Sequence, residues 1–317
     1  MKYTKRIITA FLFIMILAGL LYGASGICVP KTNEPGSGME EVVANGIMGE
    51  KAGTIDVLFL GDSESHSTFI PLQIWKDTGY TSYNCGTGDQ TLDYSLTMLR
   101  RALKKQDLKI VFLEANAIYY KESKEVPYAM LCEMFPVFRY HNRWKTLTGA
   151  DFTEKPDYTW TDDNKGYHYS AEVVPSYQSN YLSFDMTNEK SRIIPVNRHY
   201  VKAIKRLCDK NGIELIFVST PSSANFTYKR HNATTALAEE LGCEFIDMNM
   251  LPDEIGIDWS KDTKDKGNHL NYAGATKATA WMSEYLQNTG ALESHKGDAD
   301  YASWDDNTGG TQDEDSI

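Results

Sequence analysis

The chain has 317 residues, 42% of them hydrophobic, enough for one large domain with a proper core or for two small ones. Its formal net charge is -11, and it has no basic run. That balance argues against nucleic acid or an anionic lipid surface as a partner. The five cysteines, Cys28, Cys85, Cys132, Cys208 and Cys243, include no Cys-x-x-Cys pair and suggest neither a zinc site nor a disulfide framework. Cys208 and Cys243 read as core thiols, and no metal or cofactor is expected.

Lys2, Lys5 and Arg6 precede an uncharged stretch from Ile7 to Val29 that is long enough to span a bilayer. Positive charge before the span places the N-terminus inside and the rest of the chain outside. A cleaved signal peptide ending near Ala24-Ser25-Gly26 is the competing reading. Either way the remainder is exported, to the outer face of the cell membrane or beyond it. Residues 30–53, rich in Pro, Gly and Glu, read as a tether.

From Ile55 the pattern becomes α/β. Strands are predicted over Ile55–Leu60, Thr81–Asn84, Lys109–Glu114, Ile213–Ser219 and Glu244–Asp247. Helices are predicted over Thr91–Lys105, Val196–Lys210, Asn232–Leu241 and Ala273–Gln287. The alternation implies a parallel sheet with helices on both faces. Residues 117–194 interrupt it with a segment dense in aromatics, from Tyr119 and Tyr120 through Trp144 and Trp160 to Tyr177 and Tyr181. Part of it, notably Val126 to Thr148, should be helical. It is either a lid or substrate platform, to which Arg139, His141, Arg143 and Trp144 could contribute, or a subdomain with an aromatic core of its own. The Asp-, Gly-, Ser- and Thr-rich tail, 290–317, has no apolar period and is expected to be disordered.

Four stretches carry chemistry. Val57-Leu58-Phe59-Leu60 runs into Gly61-Asp62-Ser63, which puts a serine at the carboxyl end of a buried strand. Such a serine is a nucleophile if a base reaches it, or otherwise part of a helix cap. Tyr83-Asn84-Cys85-Gly86-Thr87-Gly88-Asp89-Gln90-Thr91 is a glycine-rich turn after the second strand. Leu113-Glu114-Ala115-Asn116 ends the third. Asp262-Thr263-Lys264-Asp265-Lys266-Gly267-Asn268-His269 lies near the C-terminus.

Serine, glycine, asparagine and histidine in this order make the chain, from about Ile55 to Leu286, resemble the SGNH/GDSL hydrolase superfamily. The resemblance implies a flavodoxin-like three-layer α/β/α sandwich with about five parallel strands, here behind an N-terminal membrane helix. It implies Ser63 as nucleophile and His269 as base. It also implies an oxyanion hole made of the Ser63 and Gly88 N–H groups and the Asn116 amide. The family's orienting aspartate stands three residues before the histidine, where this chain has Lys266. A bulge at Gly267 would restore the role to Asp265, with Asp262 as the alternative. His66 is a candidate pocket residue. Membrane-anchored relatives add or remove acetyl or D-alanyl esters on bacterial cell-surface polymers. The expected substrate is therefore an O-acyl ester of a cell-surface polysaccharide, with a membrane-bound acyltransferase as a possible partner. A non-catalytic surface module that binds glycan or such a partner is the second reading, supported by the displaced aspartate.

Overall fold

The computed structural model describes residues 2–177 and 186–307. Tyr181 and residues 308–317 of the tail fall outside them. The chain divides into two compact units. One joins the residues up to Val42 with Lys124–Trp160, and the other joins Val43–Ser123 with the residues from Thr161 on.

In the larger unit, β1 (Val57–Leu60), β2 (Ser82–Asn84), β3 (Ile110–Glu114), β4 (Glu214–Ser219) and β5 (Glu244–Asp247) form one parallel sheet in the order 2-1-3-4-5. This is the doubly wound, flavodoxin-like order. The strands are short unbroken apolar runs because both faces of the sheet are covered. Val57, Phe59, Ile110, Phe112, Ile216 and Val218 pack on one face with Ala278, Met282 and Leu286 of the helix Tyr272–Thr289. The rings of Phe59 and Phe112 stack 5.1 Å apart at the centre of this layer. Burying each such side chain contributes roughly 1.5–3 kcal/mol. The alternate residues Leu58, Leu60, Val111 and Leu113 are also fully buried and face the other way. Helices Leu92–Ala102 and Pro195–Asn211 pack together there, against β1 and β4 respectively. Cys208 is fully buried, as expected of a core thiol, and Cys243 is partly exposed.

Three stretches differ from the sequence expectations. Much of the presumed tether is ordered: Asn45 and Ile47 are fully buried, and Glu50 holds Lys165 at 2.9 Å. In the tail, residues 291–307 pack on the sheet domain. Leu292 joins the core, His295 bonds Asp56 at 2.7 Å, and Trp304 tilts against Trp75. Widely spaced Leu292, Tyr301 and Trp304 anchor a segment whose average composition is polar. The helix expected over Val126–Thr148 is broken at Pro136 into Val126–Met134, Val137–Tyr140 and a 3₁₀ turn, His141–Lys145.

That broken stretch belongs to the smaller unit, which begins with a 27-residue helix, Lys2–Cys28. The helix is long and apolar enough to cross a membrane. Its final residues pack on Val137–Tyr140, on the turn His141–Lys145 and on a short helix, Ala150–Thr153. Arg143 donates to the Cys28 carbonyl at 2.8 Å and to Asp151 at 2.9 Å, and Arg139 pairs with Glu40. The Asn33 side chain is fully buried and bridges to the backbone of Trp160, so the first residues of the presumed tether are fixed as well.

Candidate active site

β1 ends at Gly61, and Asp62 caps the helix Ser63–Thr68 by accepting the Glu64 N–H at 2.9 Å. A Cβ on Gly61 would lie 2.3 Å from the Cβ of Glu114, so only glycine lets β1 turn this close to the end of β3. Ser63 therefore stands at the carboxyl edge of the sheet, at the switch point between β1 and β3, where ligands bind in folds of this order.

The loop ahead of the helix Tyr272–Thr289 meets it there. Ser63 Oγ lies 2.7 Å from His269 Nε2. On the other side of the ring, Nδ1 pairs with Asp265 Oδ2, and Asp265 Oδ1 accepts the His269 backbone N–H at 2.7 Å. Burial pushes the Asp265 carboxyl up, but the bonds from the ring and backbone of His269 outweigh it and hold the group below its ordinary value. The four-residue separation of Asp265 from His269 is accommodated by two left-handed positions, Lys266 (φ 64°) and Gly267 (φ 95°). The Gly267 N–H donates to Thr263 Oγ1 at 2.7 Å, and the Lys264 N–H donates to the His269 carbonyl at 3.2 Å, closing the loop. Asp262 is occupied elsewhere. It is buried, and its Oδ2 accepts from the Asp258 N–H at 2.7 Å and from Lys277 at 2.6 Å.

Among the described residues, the N–H groups of Ser63 and Gly88 have no hydrogen-bond acceptor. The first is one of the orphan donors of a helix start. Gly88 is exposed with open space around it. It is Gly86 that presses on the nucleophile turn, within 2.8 Å of the Asp62 carbonyl if a Cβ is built there.

Asn116, the third expected oxyanion donor, has its side chain engaged beneath the turn. Its Nδ2 donates to Asp62 at 3.0 Å and to the Tyr120 hydroxyl at 3.2 Å, while Arg230 donates to its Oδ1. The reason is a group of buried carboxyls beneath the turn. Asp62, Glu64 and Glu114 place oxygens within 4.8 Å of one another. Tyr120 also donates to Asp62, and Glu114 accepts the Asn116 N–H at 2.9 Å. Burial, and then the charge of Asp62, push the Glu64 and Glu114 carboxyls well above their ordinary values. Three clustered carboxyls could hold a cation, but an acidic cluster alone identifies no ligand.

His66, a candidate pocket residue, is 9% exposed and stacks on His168 with ring centroids 4.2 Å apart. Burial, then His168 and Lys264, lower its pKa to about 3. Lys264 reaches Ser67 at 3.0 Å on the same side. Sequence reasoning did not single out Tyr120, Glu64, Arg230, His168 or Lys264. Glu114 left a trace, as a carboxylate closing an otherwise apolar strand.

Fold and site together define a doubly wound α/β protein with a serine–histidine–aspartate constellation at the sheet's carboxyl edge. No protein-family model and no curated protein matches the chain. Solved structures similar to it include a candidate SGNH hydrolase from Slackia heliotrinireducens (11% identity, 74% of this chain and 100% of that one, TM-score 0.43). Others are a lipase/acylhydrolase from Enterococcus faecalis (11%, 74% and 97%, 0.37) and an acetyl xylan esterase (14%, 74% and 99%, 0.37). Likenesses this remote transfer no function.

Proposed function

We propose that this chain is an exported, membrane-anchored serine acyl enzyme of the SGNH type. The observation that carries the proposal is the line Asp265–His269–Ser63, with Nε2 of the ring 2.7 Å from the serine oxygen. Asp265 fixes the tautomer in which Nδ1 bears the hydrogen and Nε2 can accept one. Ser63 Oγ attacks the ester carbonyl carbon as its proton passes to His269 Nε2. The tetrahedral oxyanion is received by the N–H groups of Ser63 and Gly88. His269 then returns the proton to the departing alkoxide, the C–O bond breaks, and an acyl-Ser63 remains. Water or a sugar hydroxyl, deprotonated by the same ring, takes the acyl group and frees the serine.

The substrate class we favour is a small O-acyl ester, of the acetyl type, on a cell-surface carbohydrate. The apolar N-terminal helix, read as an export signal, supports it, as does the resemblance of the motif set to anchored enzymes of such polymers. A membrane-bound acyltransferase is the natural partner if the acyl group arrives from inside the cell. Retention of the N-terminal helix is favoured over cleavage. Ser25 and Cys28 are buried, Ser25 Oγ accepts the Val137 N–H at 3.1 Å, and Arg143 holds the Cys28 carbonyl. Cutting near Ala24-Ser25-Gly26 would strip these contacts. The non-catalytic reading loses its main support, because Asp265 reaches the ring despite Lys266. Hydrolysis of p-nitrophenyl acetate and of acetylated polysaccharide by the full chain, against Ser63→Ala, tests the proposal. Loss of both activities is expected, and retention of either refutes the role of Ser63.

A further inference from the structure

The helix Val126–Met134 is apolar around most of its circumference, yet it leaves its large apolar side chains exposed. Pro127, Met130, Leu131 and Met134 fall at i, i+3, i+4 and i+7, so they share one face, and all four are exposed. The side chain the helix buries is Cys132. A helix packed on a water-soluble protein turns such a stripe inward. Met130 is 58% exposed and Met134 63%. The charge bordering the stripe, Glu133, is paired with Arg139 at 3.4 Å. Within the same unit, Trp144 and Phe152 are 66% and 63% exposed, and Lys145 lies over the Trp144 ring at 5.8 Å.

The unit also contains the helix Lys2–Cys28, which says what covers this face. Twenty-seven residues make a helix of about 40 Å, against a hydrocarbon core of about 30 Å. Residues 2–17 are exposed along their whole length, whereas burial by the rest of the unit sets in between Ala18 and Cys28. If the exposed apolar part lies in lipid, the emerging end and the elements packed on it, Val137–Tyr140 among them, lie at head-group depth, and Val126–Met134 packs on Val137–Tyr140. Tryptophan is enriched at that depth and lysine flanks it there, and exposed Met130, Leu131 and Met134 would be covered by lipid at the same level.

We propose that the outward stripe of Val126–Met134, with Trp144 and Phe152, is a bilayer-contacting surface. It seats the smaller unit in the head-group region around the point where the N-terminal helix emerges. The inference rests on that helix being a retained anchor. It assigns a segment inserted between two strands of the catalytic fold to lipid rather than to substrate.

The test uses the full chain in phosphatidylcholine proteoliposomes. Spin labels are placed at Leu12→Cys in the helix and, separately, at Met134→Cys, both in a Cys243→Ser background. The other cysteines are buried. Collision with oxygen is compared with collision with a water-soluble nickel chelate. Both sites are expected to favour oxygen severalfold, Leu12→Cys more strongly because it lies deeper. If Leu12→Cys is lipid-like and Met134→Cys water-like, the anchor stands and the lipid-contact proposal is overturned, leaving the stripe for a protein partner. If Leu12→Cys is itself water-like, the anchor reading fails and takes this proposal with it.

Discussion

Asp265 accepts two hydrogen bonds from His269, one from the ring Nδ1 and one from the backbone N–H at 2.7 Å, across a turn of four residues. The ring is thereby fixed both by its own bond and by the loop beneath it. Asp265→Asn should lower kcat by orders of magnitude, about 10⁴ in the best-studied triad, with folding little changed. Asp262→Asn should do the reverse, because that carboxylate holds the Asp258 N–H and Lys277. Its unfolding midpoint in urea should fall while kcat of the folded fraction stays near wild type. Steady-state kinetics beside urea unfolding of both variants distinguish the two roles, and the opposite ranking would move the orienting function to Asp262.

Gly267 is the second control on that loop. At φ 95° an alanine is strained, and its Cβ would meet Ser223 Oγ at 1.9 Å and Ser176 Oγ at 2.7 Å. Gly267→Ala should cost about 1–3 kcal/mol of stability and should reduce kcat more than it raises KM, because it displaces the base rather than the substrate. Wild-type kcat in this variant would show that the loop's conformation does not set the position of His269.

The parallel sheet was legible in the sequence because strands buried on both faces are written as unbroken apolar runs, and β5 was bounded to the residue. The residues of the proposed triad were legible for a related reason: Ser63 and His269 sit where element ends announce themselves by Gly, Asp and Asn. What escaped was set by tertiary partners. The position of Asn116 at a strand end does not announce that its amide donates to Asp62 and Tyr120. Leu292 and Trp304 lie too far apart to give a polar tail any period, yet each fills a place on the domain. Nothing in the order of residues says that Lys124–Trp160 forms a unit with the chain's first residues.

Glu64 and Glu114 give stability a definite dependence on pH. Their folded values are raised, so the fold retains protons that the unfolded chain releases above the ordinary carboxylate range. The stability they contribute is present at low pH and is lost as pH rises toward their folded values. Glu114→Gln keeps an acceptor for the Asn116 N–H without titrating. As pH rises from the ordinary carboxylate range toward the folded value of Glu114, the variant's unfolding free energy should fall less steeply than that of wild type. The difference should approach about 1.4 kcal/mol per pH unit. Parallel curves would show that Glu114 is ionised in the fold.

His66 acts in the opposite direction. With its pKa lowered to about 3, it stays neutral in the fold where the unfolded chain would bind a proton. Its contribution is complete above about pH 6.5 and is lost progressively as pH falls toward 3. His66→Phe retains a ring to stack on His168 and removes the titration. Urea unfolding at pH 7 and pH 4.5 should show a smaller acid loss for the variant than for wild type. An equal loss in both would place the acid sensitivity in other groups.

Asn116 separates two ways of making the oxyanion hole. If the N–H groups of Ser63 and Gly88 suffice, Asn116→Ala should act mainly by loosening Asp62 and the turn it caps. Thermal stability then falls, and Tyr120→Phe, which removes another donor to Asp62, shows the same pattern. If the amide swings to the oxyanion on substrate binding, Asn116→Ala should cost about 10²–10³ in kcat, and Tyr120→Phe should not. Kinetics and melting of the two variants side by side decide between them.

The most direct measurement is covalent. A fluorophosphonate probe phosphonylates a serine only where a base activates it and an oxyanion hole receives the charge. Incubated with the full chain and followed by peptide mass spectrometry, it should modify Ser63 stoichiometrically. Labelling should be abolished in His269→Ala and strongly slowed in Asp265→Asn. A folded wild-type protein that hydrolyses acetyl esters yet leaves Ser63 unlabelled, or that carries the label on another serine, would contradict the proposed mechanism.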